Sequence, residues 1–376
     1  MNLLIEAVNL KSGGGIAHLK NILKYPDVIQ KYFKKIIVLA PRSTLNHINE
    51  STLLTKIEAS WADKSLIHSA LFQKFFLKQI IKEYNIDLIF NPNGTYFGKT
   101  KAVLMSHNML IHEKNERKRY GFNFTRFKFK ILDIIQSYAF KRADGIIFLS
   151  NYAREIISKK IKLKPSKYPI IHHGIEKRFK SLPRIQKNIN SYDNHNPFKF
   201  IYVSNLTVYK HQYKVVKTFV NLIKKGFPVS LYLVGGKYEP YFKKIQPFLN
   251  DFPNNIKYLG MVSHKIIHDL YKSSDGIIFA SSCENMPNIL IEGMSSGVPI
   301  LCSKLGPMSE FLGDSEFYIN PENEKDIFEK VVFFMNLEIK RKESAEIAYN
   351  LSEKYNWKKC SEKTFKYLNY IAVNGF

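Results

Sequence analysis

The stretch ENMPNILIEGMSSGVP, residues 284–299, places two glutamates on either side of the start of an apolar segment. Proline is tolerated in the first turn of a helix, where its missing N–H is not needed. We therefore predict that Glu284 lies in a loop, and that Glu292 lies about one turn inside a helix that begins near Pro287.

The first turn of this helix is a candidate anion site. The backbone N–H groups of Asn288, Ile289 and Leu290 would be free there, and the positive end of the helix dipole favours a negative ligand. Together with two carboxylates that accept from hydroxyls, the stretch suits a ligand that carries phosphate and sugar groups.

Short apolar runs alternate with helical patterns along the whole chain, as expected for parallel strands with helical crossovers. The strand-like runs of the first half are 3–10, 34–40, 86–92, 101–107 and 145–150, with a helical pattern over 69–84. Those of the second half are 198–204, 229–236, 256–260, 276–281 and 298–303. We predict two doubly wound α/β domains with the ligand in a cleft between them, beyond the carboxyl ends of the strands.

Residues 181–197 are polar and bounded by prolines, which predicts a linker. A chain of 376 residues is also too long for one ordinary core. The predicted division is an N-terminal domain over 1–180, the linker, and a C-terminal domain over 198–355.

The formal net charge is +25, and it is unevenly spread. Residues 1–180 have a net charge of +19, whereas residues 181–376 have +6. The first half would therefore face an anionic partner, either nucleic acid, an acidic lipid surface or a phosphorylated substrate. The alternative is that the organism's genome favours lysine and that the charges are simply solvated. A bias of the whole genome would not by itself give residues 1–180 a higher net charge than residues 181–376.

The cysteines, Cys283, Cys302 and Cys360, have no metal-like spacing and are odd in number, which fits a reducing cytoplasm. The start of the chain lacks the basic region and cleavage site of a signal peptide, and no run approaches ~18 apolar residues. Any membrane association is therefore expected to be peripheral.

Several residues at strand ends are candidates for ligand binding. Glycine allows backbone N–H groups to approach a phosphate, lysine can neutralise a diphosphate, and histidine can donate to a phosphate or hydroxyl. The alternatives are a simple turn, a solvated lysine and a histidine satisfied within its loop. The candidates are Gly14, Gly15, Gly235, Lys210 and His107.

Residues 114–130 contain seven Lys or Arg, one glutamate and five interleaved aromatic residues. This mixture suits an anionic membrane interface or an acceptor. A helix with core phenylalanines and solvated lysines is one alternative, and stacking on single-stranded RNA is another. The candidate acceptor or membrane residues are Lys114, Arg117, Lys118, Arg119, Tyr120 and Arg126.

Residues 284–299 resemble the E-x7-E region of glycosyltransferase family 4, whose enzymes have the GT-B fold of two Rossmann-like domains. Other segments are similar in the same order along nearly the whole chain. They are the glycines 13–15, SHNMLIHE, ADGIIFLSNYAREI, IIHHGIEKRF, YVSNLTVYKHQ, YLGMVSHKIIHDLYKSSDGIIFASSCE, and YNWKKCSEKTFKYLNY, whose helix over 356–376 would cross back to the first domain.

The resemblance implies retaining, metal-independent transfer of a hexosyl group from a UDP- or GDP-linked donor, with no cofactor. Glu292 would accept from the ribose hydroxyls and Glu284 would contact the donor sugar. Lys210 would stabilise the departing diphosphate, and His107 would hydrogen-bond at the reacting sugar. The remaining donor contacts would be the N-domain loop at Gly14 and Gly15, the diphosphate contacts at Asn288 and Ile289, and the loops at Asn205, Gly235, Val262 and Met286.

One departure from the family pattern concerns an arginine that many relatives carry shortly before the lysine. Ser204 and Asn205 occupy its place, and Asn205 supplies no charge. Either another basic residue such as Lys237 or Lys304 substitutes, or the phosphate contact is weaker.

Taken together, the sequence predicts a cytoplasmic, peripheral-membrane glycosyltransferase that acts on a glycan or lipid-linked acceptor in cell-surface polysaccharide or lipopolysaccharide assembly. Its partners would be the nucleotide sugar, the acceptor and an anionic membrane surface, without nucleic acid. A sugar-nucleotide epimerase of the same fold and a basic membrane- or RNA-binding module are the alternatives.

Overall fold

The structure is a computed structural model, and it describes residues 1–10, 13–59, 68, 72 and 75–375. The described chain forms two compact units. The first unit contains 1–112, 127–174 and 355–376, and the second contains 113–126 and 175–354.

The first unit contains a six-stranded parallel sheet with the order β3-β2-β1-β4-β5-β6. Most of its strand residues are fully buried, as expected of a sheet covered on both faces. The strands are β1 Asn2–Glu6, β2 Lys35–Ala40, β3 Leu54–Glu58, β4 Leu88–Asn91, β5 Ala102–Met105 and β6 Gly145–Ile147.

The second unit contains another six-stranded parallel sheet, with the order β12-β11-β10-β7-β8-β9. The two parallel sheets confirm the predicted α/β fold class. The strands are β7 Phe198–Val203, β8 Val229–Val234, β9 Ile256–Tyr258, β10 Gly276–Phe279, β11 Ile300–Ser303 and β12 Tyr318–Ile319.

Helices connect the strands in both units. In the first unit they are Gly14–Ile22, Pro26–Ile29, Arg42–Leu45, Leu77–Glu83, Asn151–Ile161 and Trp357–Asn374, and Phe124–Arg142 lies mostly in this unit. In the second unit they are Lys114–Lys118, Gln212–Lys224, Glu239–Asp251, Ile267–Lys272, Asn288–Ser295, Met308–Leu312, Glu324–Asn336 and Glu338–Ser352. Short 3-10 turns are Met109–Ile111, Pro165–Lys167, Lys177–Phe179, Ile189–Ser191 and Val208–Lys210.

The ten predicted strands are all present. Eight of them end one to four residues earlier than the apolar runs, whereas β2 and β11 end with their runs. The sequence missed β3, a half-exposed edge strand, and β12, which has two residues. Part of the predicted helix over 69–84 lies outside the described residues, and its last part forms the helix Leu77–Glu83.

The predicted linker, 181–197, lies along the second unit. The backbone N–H of Ser181 donates to the carbonyl of Ser295 at 2.9 Å, and Arg184 donates to the carbonyl of Lys272 at 2.7 Å. Fully buried Arg341 donates to the carbonyl of Lys187 at 2.6 Å, with its guanidinium 5.1 Å from the ring centre of Phe198. These bonds make the segment part of the second unit rather than a free tether.

The contacts differ from the predicted boundaries in two further places, because residues 113–126 and 175–180, which the prediction placed in the N-terminal domain, belong to the second unit. The helix Trp357–Asn374 belongs to the first unit, where Ser361 donates to the carbonyl of Ile22 at 2.7 Å. Over the described residues, we find no helix with the length and apolarity needed to cross a bilayer.

Candidate active site

The strand order of the second sheet reverses between β7 and β10, which is where open α/β sheets bind ligands. The buried Tyr202, in β7, joins the loops that follow these two strands. Its hydroxyl donates to the carbonyl of Lys210 at 2.6 Å and accepts from the backbone N–H of Ala280 at 3.1 Å. The turn that carries Lys210 is therefore held beside the end of β10.

Lys210 and Glu284 form an ion pair across these two loops, as Nζ contacts Oε1. Their side chains are 10% and 16% exposed, so the pair is largely shielded from water. The ammonium also lies 5.1 Å from the ring centre of Phe279, the last residue of β10, where the ring face attracts a cation. The structure thus brings together two of the three predicted catalytic residues.

Ser282 fixes the loop that precedes Glu284. Its backbone N–H donates to the carbonyl of Tyr209 at 2.9 Å, and its hydroxyl donates to Glu116 at 2.6 Å. The Nε2 atom of His211 lies 3.0 Å from the same hydroxyl. Burial lowers the pKa of His211 to about 4, so this imidazole is neutral near pH 7 and does not repel Lys210.

The helix Asn288–Ser295 begins directly after Pro287, and Glu292 lies in its second turn, as the sequence predicted. Glu284 lies in the loop before it. The cradle of free N–H groups is smaller than predicted, because the N–H of Asn288 donates to the carbonyl of Met286 at 2.9 Å. Met286 itself is buried in this turn.

Glu292 is held by His264, whose Nε2 lies 2.9 Å from Oε1. Within the part of the chain that the structure describes, Oε2 is buried and has no hydrogen-bond partner. Burial raises the pKa of this carboxyl, while the hydrogen bond from His264 opposes that change. A buried carboxylate oxygen without a donor is costly and is ready to accept from a ligand.

The orientation of His264 follows from its second partner. A guanidinium nitrogen of Arg178 lies 2.6 Å from Nδ1, and the same nitrogen lies 3.1 Å from Glu176. Arginine only donates, so Nδ1 accepts and Nε2 carries the proton that is donated to Glu292. The sequence did not predict His264, Arg178 and Glu176 as site residues. Their side chains come together only in the folded unit, and no regular spacing in the sequence relates them.

The loops after β7 and β8 lie against each other at Asn205 and Gly235. Gly235 has φ +138°, and a Cβ there would lie 2.2 Å from the carbonyl oxygen of Ser204. Asn205 is exposed and accepts from the N–H of Gly236 at 3.0 Å. Only glycine permits this close approach, which sets the two predicted donor loops side by side.

The neighbouring positions agree in part with the prediction. Exposed Met261 faces Gly236, and Val262 follows it with a half-buried side chain. Of the two proposed substitutes for the family arginine, Lys237 is paired with Glu239 at 2.9 Å. Lys304 follows β11 and is exposed.

In the first unit the glycine loop lies against His107. Gly14 and Gly15 open the helix Gly14–Ile22, whereas the preceding Ser12 lies outside the described residues. A Cβ on Gly15 would lie 2.3 Å from a methyl carbon of Leu10 and 3.6 Å from the ring of His107. The structure therefore places these two predicted residues together.

His107 belongs to a cluster of aromatic side chains that the sequence did not predict. His18 stacks on His173 at a ring-centre distance of 4.8 Å, and it lies 5.3 Å from His107. His173 in turn stacks on Trp357 at 5.4 Å. Burial, with a smaller repulsion from His173, lowers the pKa of His107 to about 3, so its imidazole is neutral at pH 7.

The order of the first sheet reverses between β1 and β4, and two polar side chains meet there. Asn91, the last residue of β4, donates to the carboxylate of Glu6, the last residue of β1. Both side chains are buried. The only sequence signal was a single charge at the end of an apolar run.

The basic segment at 114–130 does not form one surface. Arg117 is 8% exposed, and Arg119 forms ion pairs with Glu116, at 2.8 Å, and with Glu322. The expectation that these two arginines face a membrane is therefore not supported, because Arg117 is buried and Arg119 is paired with carboxylates of the second unit.

The other predicted acceptor or membrane residues of this segment differ in exposure. Tyr120 is half-buried with its ring against Tyr238, and Arg126 is half-buried, whereas Lys114 and Lys118 are exposed. Three of the four phenylalanines of the segment are not core residues, since Phe122, Phe124 and Phe127 are 101%, 79% and 59% exposed, whereas Phe129 is half-buried.

Comparisons with known proteins agree with this geometry. A family model described as glycosyl transferases group 1 matches residues 184–351, and one described as glycosyltransferase family 4 matches residues 35–179. The chain is 28% identical to the capsular polysaccharide biosynthesis glycosyltransferase CapH of Staphylococcus aureus over 271 residues, which are 67% of this chain and 71% of CapH.

Two solved structures show the same fold. HepE of Anabaena, in complex with UDP, has a TM-score of 0.71 and 17% identity, with 98% of this chain and 99% of HepE covered. WaaG, a glycosyltransferase involved in lipopolysaccharide biosynthesis, has a TM-score of 0.71 and 13% identity with full coverage of both chains. With both sheets matched and the two family models spanning most of its length, the chain belongs to the family 4 glycosyltransferases of GT-B fold.

Proposed function

We propose that the protein transfers a hexosyl group from a nucleoside diphosphate sugar to a glycan or lipid-linked acceptor, with retention of configuration and without a metal. The observation that carries the proposal is the buried Oε2 of Glu292, which lies in the helix that follows the Lys210–Glu284 ion pair. Ribose hydroxyls are suitable donors for this oxygen. HepE, a solved structure of the same fold, contains UDP in one case and UDP-glucose in another, which makes UDP the first nucleotide to test.

Lys210 is suited to the departing diphosphate. An ammonium has three donors, of which the pairing with Glu284 uses one. When the bond between the sugar C1 and the diphosphate oxygen breaks, negative charge develops on that oxygen. A fixed cation in a shielded site then lowers the barrier, because it needs no reorganisation at that moment. The second carboxylate oxygen of Glu284 can accept from a sugar hydroxyl.

His107 supplies a neutral imidazole, because burial keeps its pKa at about 3. A neutral imidazole can donate from one nitrogen to a sugar hydroxyl without adding a charge. We assign it to the reacting sugar, and we assign the glycines next to it to the same ligand. The loop with Asn205, Gly235 and Val262 is assigned to the nucleotide.

The acceptor and the cellular site complete the proposal. CapH and WaaG are described as acting in capsular polysaccharide and lipopolysaccharide biosynthesis, and we propose assembly of a cell-surface polysaccharide for this chain. The net charge of +25 favours peripheral association with the anionic inner face of the cell membrane. The enzyme would then meet a lipid-linked acceptor in the cytoplasm.

Calorimetric titration with UDP, GDP, ADP and CMP tests the donor site directly. We expect one nucleoside diphosphate to bind and the Glu284→Ala variant to lose sugar transfer. Turnover that is unchanged by EDTA, and an acceptor product with the anomeric configuration of the donor, would support the finer assignments. Absence of nucleotide binding would refute the proposal, and conversion of the donor sugar without acceptor would favour an epimerase.

A further inference from the structure

The helix Phe124–Arg142 exposes one apolar face. Phe127, Ile131, Ile134 and Tyr138 are 59%, 39%, 64% and 54% exposed, and we call these four residues the apolar stripe. Their spacing of four, three and four residues places them on one side of a helix. The opposite side of the same helix is buried, with Asp133, Gln136, Ala139 and Phe140.

Basic residues flank the apolar stripe on both sides. At about 100° per residue, Lys130 and Lys141 lie on one side of it, and Lys128 and Arg142 lie on the other. All four side chains are exposed. The only acidic residue of this helix is Asp133, on the buried side, where it is bound to Lys160 and to His112.

A cavity of about 290 Å³ lies at the C-terminal end of the stripe. Lys99, Thr100 and Arg142 are among its lining residues, together with Phe97 and with Asp144, whose carboxylate accepts from the backbone N–H of Ala102 at 2.8 Å. The ring of Phe97, 45% exposed, lies 6.0 Å from that of Tyr138. The cavity therefore has two cations next to the apolar stripe, which suits a phosphate that is attached to an apolar chain.

We propose that the apolar stripe and its flanking cations dock on an anionic lipid bilayer, with lipid phosphates between Lys99 and Arg142. This inference rests on the peripheral association proposed above and names its surface. Aromatic and aliphatic side chains enter the boundary between headgroups and acyl chains, while lysine and arginine reach the phosphates. The proposed membrane surface therefore does not include Arg117 and Arg119, which the sequence predicted, but residues of the next helix along the chain.

Two other occupants fit this surface less well. A second copy of the chain would bring the same cations against each other, because the exposed face of the helix contains no carboxylate to pair with them. Single-stranded RNA could stack on Phe127, Tyr138 and Phe97, but it would make no use of Ile131 and Ile134, which have no ring. An anionic bilayer uses both the apolar and the basic residues.

The test is sedimentation of the full chain with vesicles of phosphatidylcholine, with and without phosphatidylglycerol. We expect binding only to the anionic vesicles, and weakening by salt. The stripe variant Ile134→Ser/Tyr138→Ser should bind at least about tenfold more weakly, because two half-exposed apolar side chains are lost. The variant Lys130→Gln/Arg142→Gln should lose about fivefold for each charge.

Matched controls lie in the second unit. Ile339→Ser/Ile347→Ser removes two exposed apolar residues, 70% and 52% exposed, and should leave vesicle binding unchanged. UDP affinity, measured on all variants, reports folding and the donor site independently of lipid. Absence of binding of every nucleotide tested to the wild type would refute the proposed function, whereas vesicle binding would still test this surface.

Three results would overturn the inference. The first is vesicle binding by the stripe variant that equals that of the wild type. The second is a dimer in light scattering that the stripe variant turns into a monomer, without vesicle binding by either. The third is stripe-dependent binding of an RNA oligonucleotide in the absence of any vesicle binding.

Discussion

Replacing Glu292 with glutamine is the sharpest perturbation of the proposed donor site. The substitution keeps the volume of the side chain and removes its negative charge. Oε1 of Glu292 accepts from His264 at 2.9 Å, whereas Oε2 is buried and has no protein partner among the described residues. A glutamine amide group at the second position would offer a donor where the ligand needs an acceptor.

The expected magnitude follows from the bond that is lost. A hydrogen bond to a charged acceptor contributes about 1.5–3 kcal/mol, so UDP should bind about 10- to 150-fold more weakly to the Glu292→Gln variant. The free protein should not be destabilised to the same extent, because burial of the carboxylate is itself unfavourable and raises its pKa. Weaker nucleotide binding with little loss of stability is therefore the expected signature.

Calorimetric titration with UDP measures this effect, and its pH dependence adds a second readout. In the proposed site the ribose hydroxyls donate to the ionised carboxylate, so UDP affinity in the wild type should fall as pH drops through the raised pKa of Glu292. This window begins above the ordinary value of 4.5. The Glu292→Gln variant should lack this part of the pH dependence.

The Glu346→Gln variant is a matched control, because Glu346 pairs with Lys342 on the surface of the second unit. It removes the same charge and should bind UDP like the wild type. An affinity of Glu292→Gln equal to that of the wild type would refute the reasoning, since the buried oxygen would then not contact the nucleotide.

Three further predictions concern turnover and stability. Lys210→Met should lower turnover about 100-fold and the free energy of unfolding by roughly 2–4 kcal/mol. Adding Glu284→Gln should restore much of the stability but none of the turnover, because the unpaired carboxylate is removed and the cation is still missing. Recovery of turnover in the double variant would contradict the role of the cation. Acidification should destabilise the first unit, because the pKa of His107, about 3 when folded, is near 6.5 when unfolded, so stability is full above pH 6.5 and falls by about 2 kcal/mol at pH 5. Urea unfolding measures this, and His107→Gln should show a smaller fall. Gly235→Ala should cost about 2–4 kcal/mol in thermal unfolding because its Cβ would meet a carbonyl at 2.2 Å, whereas Gly226→Ala, where a Cβ meets open space, should cost about 1 kcal/mol.

The sequence predicted those parts of the fold that depend on local pattern. Continuous apolar runs marked the buried strands, and Pro287 marked the start of the helix with Glu292. The edge strand Leu54–Glu58 was missed, because its residues are only half-buried and its apolar signal is weak. The free N–H of Asn288 was also mispredicted, since the turn at Met286 provides a carbonyl that no spacing rule reveals.

Side chains that meet from distant parts of the sequence were beyond prediction. A series of hydrogen bonds links Glu176, Arg178, His264 and Glu292. It depends on the contact between Arg178 and His264, which are more than 80 residues apart in the sequence. The prediction that Arg119 faces a membrane failed for the same reason, because the composition of the basic segment could not show that Arg119 pairs with Glu322. Composition finds a charged segment, whereas only the fold decides which of its side chains face outward.

The interleaving of the two units along the chain constrains how the protein can be made. The second unit requires residues 113–126, which are synthesised before its first strand, and the first unit requires the helix Trp357–Asn374, which is synthesised after the rest of the second unit. The earlier unit therefore cannot complete its packing until the ribosome has delivered the later one. Expression of residues 1–174 alone would omit that helix, and expression of residues 175–354 alone would omit Glu116, the partner of Ser282 beside Glu284. The enzyme is thus a single translational unit, and cutting it at the midpoint would leave two incomplete halves.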